Sequence, residues 1–496
     1  LGRPVITAEE TQTSVAGRAA AGVAWNFAAG LSAKALGLLG TLVLTRFVAP
    51  AEFGEVSVAV VVVETATQFS NYNLGSFVVT RRTEPGPTFQ ALAYHMSGMA
   101  IACLLVTLFR HPIADALGAP GAAAYIPWLA LANLVLQLSR IPEATLYRAL
   151  QFRPLALTRA LGEIAYTVVS VGLAPLLRGG AIVAGNLARS LTLTTAILAR
   201  SRKVEWLQPT ALQFSTAREM LRFGFPLSMR TLADKLSRSW DNLLVSRLFG
   251  NHVMGQYALA YNLADVTGQV SEYISDVLLP SLSRLDPARQ KLALPRITAM
   301  MGLVLFPIIA GLAVVAPLAV DALLAAEWAS VAPMLAILCF RSFPVPIVSV
   351  LAAYFAARGR TEPIMYLGIL RLGLVLGLLL TVGRMGPLWA CVAVVLAYNL
   401  ASLAHLFVGW WLEQLPIRPF IGAILRPLAA SGLMAAGVLA FRATVEVWIP
   451  MPVSLALGLE IGVGGLAYVA AVFLVARSTA GEFLAAVSGV MARKTA

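Results

Sequence analysis

The sequence predicts an all-α membrane protein with about fourteen transmembrane helices. They form two parallel-repeat six-helix lobes around a central cavity, followed by a C-terminal helix pair. Three observations predict this fold. The 496-residue chain is 59% hydrophobic and only 12% charged. Its basic residues recur in every second connecting segment. A stretch of the first half returns, without a gap, in the second.

A soluble globular domain carries roughly 25% charged residues. At a mean hydropathy of +0.79 this chain lacks the polar side chains to cover a water-facing surface. A bilayer solvates apolar side chains directly, and helices satisfy their own backbone polar groups inside it. A net charge of +13 would otherwise suggest nucleic acid. Here Lys and Arg lie between apolar runs and form no basic tail or domain, so membrane lipids are the expected partner and nucleic acid is not. Cys103, Cys339 and Cys391 fall inside apolar segments without metal-ligand spacing. They read as small buried apolar side chains, and no disulfide, metal or cofactor is expected.

A span needs about 20 mostly apolar residues. Fourteen segments qualify: 19–47, 52–79, 88–110, 123–147, 154–177, 180–200, 220–249, 253–280, 296–320, 330–356, 362–383, 386–412, 420–442 and 452–476. One set of connections holds Arg81, Arg82, Arg148, Arg153, Arg200, Arg202, Lys203, Arg284, Arg289, Lys291, Arg358, Arg360, Arg418 and Arg477. The alternate set holds mainly Arg110, Arg178, Arg384 and Arg442, with Glu52, Glu55, Asp321 and Glu327. The bias stays in phase, which predicts an even count with both termini cytoplasmic. The organisation is a cytoplasmic segment 1–18, an N-lobe 19–200, a cytoplasmic loop 201–219, a C-lobe 220–412, an extra helix pair 413–477 and a tail 478–496. No connection is long enough to fold as a separate catalytic domain, which argues for a transporter over an enzyme.

The repeat has an offset of 201 residues. It pairs Lys34 with Lys235, Arg46 with Arg247, Gly54 with Gly255, Glu64 with Asp265, Gln68 with Gln269 and Tyr72 with Tyr273. Chance similarity between apolar helices yields Leu and Val matches, not this polar set. Six spans per half return the chain to its starting side, so the halves are parallel repeats, an architecture suited to alternating access.

Ionisable groups at membrane depth cost roughly 2.5–3.5 kcal/mol and usually face a partner or a wet cavity. Glu64, Gln68, Asn71 and Tyr72 share one helical face. Arg230, Asp234, Arg238 and Asp241 form a second stripe with Lys235 beside it. Tyr257, Tyr261, Asp265, Gln269, Glu272, Tyr273 and Asp276 form a third. The duplicated mid-helix lysines predict an anionic substrate, and Glu64 and Asp265 are candidate sites for a coupling proton or sodium ion. Structural readings stand beside these. Arg230–Asp234 and Asp234–Arg238 are i, i+4 pairs that can neutralise each other. Arg46 and Arg247 lie near helix ends, where snorkelling is free. Arg140, Glu143, Arg159, Glu163, Arg189, Arg341, Arg371 and Glu460 read as structural or rim-lying. Pro226, Pro280, Pro307, Pro317, Pro344 and Pro346 mark kinks in the second half.

The run Gly22-Val23-Ala24-Trp25, the stretch Leu44-Thr45-Arg46-Phe47-Val48-Ala49-Pro50-Ala51-Glu52-Phe53-Gly54, Leu74-Gly75, and the repeat from Arg247-Leu248-Phe249-Gly250 to Gly255-Gln256-Tyr257 resemble the polysaccharide transporter family. That family belongs to the multidrug/oligosaccharidyl-lipid/polysaccharide superfamily. The resemblance implies a flippase that carries an undecaprenyl-diphosphate-linked oligosaccharide repeat unit across the bacterial inner membrane, for exopolysaccharide, O-antigen or lipopolysaccharide biosynthesis. A polymerase and export machinery are implied as partners. Lys34, Lys235, Arg230, Arg238, Arg46 and Arg247 would then hold the diphosphate. Gln68, Tyr72, Gln269 and Tyr273 would meet the sugar. A cation-coupled multidrug exporter of the same superfamily is the nearest alternative, and would favour an acidic, aromatic cavity. A peptidoglycan-precursor flippase is another. A membrane polymerase or ligase would need a larger outer loop than this chain has.

Overall fold

A computed structural model describes residues 36–80, 85–149, 151–201, 203–268, 271, 282, 286–360, 362–446 and 451–482. The described residues are helical and contain no strand. Ten of their helices are long and apolar enough to cross a membrane: Thr88–Leu108, Ala122–Arg148, Pro154–Leu177, Gly179–Arg200, Ala288–Leu323, Val331–Ala357, Glu362–Met385, Pro387–Glu413, Ile417–Thr444 and Val453–Val475. These coincide with the third to sixth and ninth to fourteenth expected spans. Their outward faces are apolar: Leu466 is 76% exposed and Leu474 80%, a surface suited to lipid and not to water.

The other four expected spans are the ones whose polar residues were singled out above. Most of the first lies outside the described residues. The second is a helix over Pro50–Phe69 that carries Glu52, Glu55 and Glu64. The seventh and eighth share the helix Phe214–Ala264, which is interrupted at Gly250, where φ is 80°.

The chain divides into two units, Leu1–Lys235 and Leu236–Ala496, and the boundary falls inside the Phe214–Ala264 helix. In the first unit we label α1 (residues 36–44), α2 (Pro50–Phe69), α3 (Leu74–Thr80), α4 (Pro85–Leu108), α5 (Arg110–Ala116), α6 (Ala122–Leu138), α7 (Arg140–Arg148), α8 (Phe152–Leu177) and α9 (Gly179–Arg200). α8 and α9 form a hairpin that turns at Arg178, whose φ is 46°. Small residues let the two backbones approach: a Cβ on Gly185 would lie 2.8 Å from Ser170 Cβ and 3.0 Å from the Tyr166 carbonyl oxygen. Glu52 holds the turn, accepting from the Gly179 N–H at 3.2 Å with Arg178 at 3.7 Å. Both Glu52 and Arg178 belong to the same set of connecting segments in the sequence.

The second unit shows the same grouping. Lys291, Arg358 and Arg360, from the other set of connections, converge on Glu413. Arg360 pairs with its carboxylate at 3.0 Å and Arg358 at 3.6 Å, Tyr354 donates to it at 2.9 Å, and Lys291 donates to its carbonyl at 2.5 Å. The helices Ile417–Phe441 and Val453–Val475 pack on Pro287–Leu323 around Leu303, Ala430, Ala471 and Val472. They are tied together by Arg442 and the fully buried Glu460, at 2.5 and 2.8 Å. Pro307 and Pro317 lie within the single helix Pro287–Leu323, which continues through both.

The repeat recurs in the helix breaks. α2 begins after Ala49, and the Phe214–Ala264 helix breaks at its repeat partner, Gly250. α6 ends at Leu138, and the helix Val331–Cys339 ends at its repeat partner, Cys339. Cys103, Cys339 and Cys391 are buried free thiols.

Candidate functional site

α2 is a valine-rich helix with Glu52 and Glu55 near its start and Glu64, Thr65, Thr67 and Gln68 near its C-terminal end. The face assigned to Glu64, Gln68, Asn71 and Tyr72 is corrected here: the helix stops at Phe69, so Asn71 and Tyr72 lie beyond it. The cause is local. Asn71 Oδ1 accepts the Asn73 backbone N–H at 3.1 Å, and Asn73 adopts a left-handed φ of 49°, a conformation that Asn tolerates better than most residues. Asn73 Nδ2 then donates to Ser228 Oγ and Thr231 Oγ1, both at 3.3 Å. Tyr72 packs against the apolar cluster of Leu74, Phe77 and Ile141.

This turn opens onto a cavity of about 800 Å³ within the first unit. α2 contributes Glu64, Thr67 and Gln68, α4 contributes His95, α6 contributes Asn133 and Gln137, and α7 contributes Arg140, Glu143 and Tyr147. Thr231 and Lys235 complete the wall. Lys235 Nζ lies 2.6 Å from the Glu64 carboxylate, and Gln68 Nε2 donates to Thr231 Oγ1 at 3.2 Å. A chain of amides runs along α6. Gln137 Nε2 donates to Asn133 Oδ1 at 3.1 Å, and His95 Nε2 lies 3.2 Å from Gln137 Oε1. Arg140 is held by Glu143 at 3.3 Å, and Glu143 also binds Arg159 at 3.0 Å. The two carboxylates of the lining, Glu64 and Glu143, thus meet three cations, Lys235, Arg140 and Arg159, the last reaching Glu143 from outside the lining.

The second unit encloses a smaller cavity of about 100 Å³, lined by Arg238, Asp265, Ser271, Arg341, Arg371, Tyr398 and His405 among others. Asp265 pairs with Arg341 at 2.7 Å, and only 4% of the arginine side chain is exposed. The guanidinium also lies 3.9 Å from the ring centre of Tyr261 and 5.4 Å from that of Tyr398. Asp241, fully buried, accepts from Tyr257 Oη at 2.8 Å and from the Asn242 N–H at 2.9 Å.

Of the sequence-predicted residues, Glu64, Gln68 and Lys235 meet at the first cavity, and Arg238 and Asp265 at the second. Tyr72 is not in the lining. Arg46 and Arg247 are exposed and make no ion pair among the described residues. Lys34, Gln269, Tyr273 and the side chain of Arg230 lie outside the described residues. The sequence reading missed His95, Asn133 and Gln137 and took Arg140 and Arg341 as structural or rim-lying, whereas both line a cavity. A signal for the last two was present: the offset of 201 pairs Arg140 with Arg341.

A family model described as polysaccharide biosynthesis protein matches residues 43–333. The chain is 26% identical over 418 residues to lipopolysaccharide biosynthesis protein WzxC of Escherichia coli strain K12, covering 82% of each chain. It is 25% identical over 431 residues to succinoglycan biosynthesis transport protein ExoT of Rhizobium meliloti strain 1021, covering 83% of this chain and 84% of that one. Among solved structures, the lipid II flippase MurJ in an inward closed conformation has a TM-score of 0.75 at 14% identity, covering 91% of this chain and 99% of MurJ. An inward-facing multidrug resistance MATE family transporter of the MOP superfamily has a TM-score of 0.57 at 13% identity, covering 83% and 96%. The fold is thus that of the MurJ and MATE transporters.

Proposed function

The chain belongs to the polysaccharide biosynthesis protein family, and from that premise we propose that this multi-pass membrane protein is a flippase for a lipid-linked oligosaccharide. The observation that carries the reading is the cavity of about 800 Å³ walled by Glu64, Gln68, Asn133, Gln137 and Lys235. Polar volume of that size among apolar, membrane-crossing helices is costly unless something hydrophilic occupies it. The names of WzxC, ExoT and MurJ support a glycan precursor carried on a lipid.

The substrate in this reading is an undecaprenyl-diphosphate-linked repeat unit that moves from the cytoplasmic to the periplasmic leaflet of the bacterial plasma membrane. Both termini are cytoplasmic, and a polymerase acts on the product. Lys34, Lys235 and Arg238 meet the diphosphate as it passes, and Arg46 and Arg247 meet it at the helix ends. Gln68 bonds sugar hydroxyls. Glu64 is the coupling carboxylate: its partner is a lysine, which can release it, whereas Asp265 is committed to a buried arginine.

Purified protein in phosphatidylethanolamine–phosphatidylglycerol vesicles, loaded with a fluorescent undecaprenyl-diphosphate oligosaccharide, tests the reading. Wild-type protein moves the lipid between leaflets, and Lys34→Ala with Lys235→Ala inserts but does not. Movement no faster than in protein-free vesicles would overturn the proposal.

A further inference from the structure

The two cavities are copies of one site. Glu64, Thr67, Arg140 and Ala144 line the first, and their repeat partners Asp265, Gly268, Arg341 and Val345 line the second. One position explains why the copies differ. Glu143 holds Arg140 in the first unit at 3.3 Å, which leaves Glu64 to Lys235. The repeat partner of Glu143 is Pro344, which offers no carboxylate. Arg341 therefore turns to Asp265 and closes the second cavity to about 100 Å³, against about 800 Å³ in the first.

The first copy keeps its volume and carries an unused group. His95 lines it and is 4% exposed, and its Nδ1 is buried with no hydrogen-bond partner among the described residues. A buried polar atom left without a partner costs free energy, so such atoms point to a ligand or water. Beside it the Gln137–Asn133 amide chain offers donors and acceptors. Amides and an imidazole suit hydroxyls, which both donate and accept.

We propose that the first-unit cavity reads the hydroxyls of a sugar ring of the transported glycan through His95, Asn133 and Gln137, and that Arg341 closes its repeat copy to a sugar. The proposal rests on the flippase reading only for the identity of the lipid that bears the sugar.

Two probes test it on the full-length protein in the same vesicles: undecaprenyl diphosphate alone, and the same lipid bearing one hexose. Wild-type protein binds the hexose lipid more tightly than the sugar-free lipid. His95→Leu and Gln137→Leu each weaken the hexose lipid by about ten-fold, the worth of one good hydrogen bond. Both retain wild-type affinity for the sugar-free lipid, which reports the folded state. Ser271→Ala, in the second cavity, leaves the preference unchanged. An unaltered preference in His95→Leu and Gln137→Leu, or a loss in Ser271→Ala as large as theirs, overturns the assignment. Binding without movement between leaflets would overturn the flippase reading and leave the sugar site standing.

Discussion

The ammonium of Lys235 and the carboxylate of Glu64 meet at 2.6 Å inside the first unit. Taken separately in the sequence, one is a phosphate ligand and the other an ion-coupling acid. As a pair, each sets the availability of the other. In the proposed reading, a substrate phosphate that draws Lys235 away releases Glu64 to take up a cation, and a cation on Glu64 releases Lys235.

Lys235→Met should therefore abolish transport with little effect on folding. Each side chain is 39% exposed, so solvent screening limits the pair's contribution to stability to less than about 1 kcal/mol. Thermal melting in detergent measures the second quantity and the vesicle assay the first. The double variant Glu64→Gln with Lys235→Met should remain inactive. Wild-type transport by the double variant would reduce the pair to mutual neutralisation.

Arg341 and Asp265 should behave in the opposite way. Removing the buried guanidinium in Arg341→Met strands a carboxylate and should cost about 3–5 kcal/mol, read as a large drop in melting temperature. Adding Asp265→Asn should recover most of that loss. Arg341→Lys should recover little, because an ammonium cannot both bond Asp265 and stack on Tyr261 and Tyr398.

The C-terminal helix pair should depend on a single ion pair. Glu460 is fully buried against Arg442, which also donates to the Val314 carbonyl at 2.9 Å. Arg442→Ala should destabilise by about 3–5 kcal/mol and expose the connection between the two helices to protease, whereas Arg442→Leu with Glu460→Leu should be far milder. Time courses of limited proteolysis distinguish the two.

In the α8–α9 hairpin, Gly185→Ala should cost about 1–3 kcal/mol, since the added methyl meets the Tyr166 backbone oxygen, which cannot move aside. Gly172→Ala on α8 has open space around it and should instead stabilise by up to about 1 kcal/mol through helix propensity. Equal melting shifts for the two would remove close packing as the role of Gly185.

Much of this architecture is legible in the sequence because lipid imposes one rule: long apolar runs form helices. The ten spans follow from that rule alone. What it does not reveal is where a helix stops for local reasons. The periodic spacing of Glu64, Gln68, Asn71 and Tyr72 reads as one face, but Asn71 and Asn73 satisfy their own turn and end the helix at Phe69. At the site, Glu64, Gln68 and Lys235 stand out as polar residues repeated between halves. Asn133 and Gln137 do not, because their repeat partners are Met334 and Leu338, and His95 does not, because its partner Arg296 is a different kind of side chain. Arg140 was within reach, since the offset pairs it with Arg341; its position near the end of a span made a structural or rim-lying role the simpler reading.

The Glu143–Pro344 difference has a consequence for how such a protein can evolve. Once Arg341 is locked onto Asp265, the second copy of the site is held by a stability constraint that few substitutions can satisfy. The first copy carries no such debt: its amides and imidazole can be exchanged for other polar side chains of similar size without stranding a buried charge. A carboxylate at one repeat position and a proline at the other thus pair a constrained scaffold with a more exchangeable polar surface within one chain.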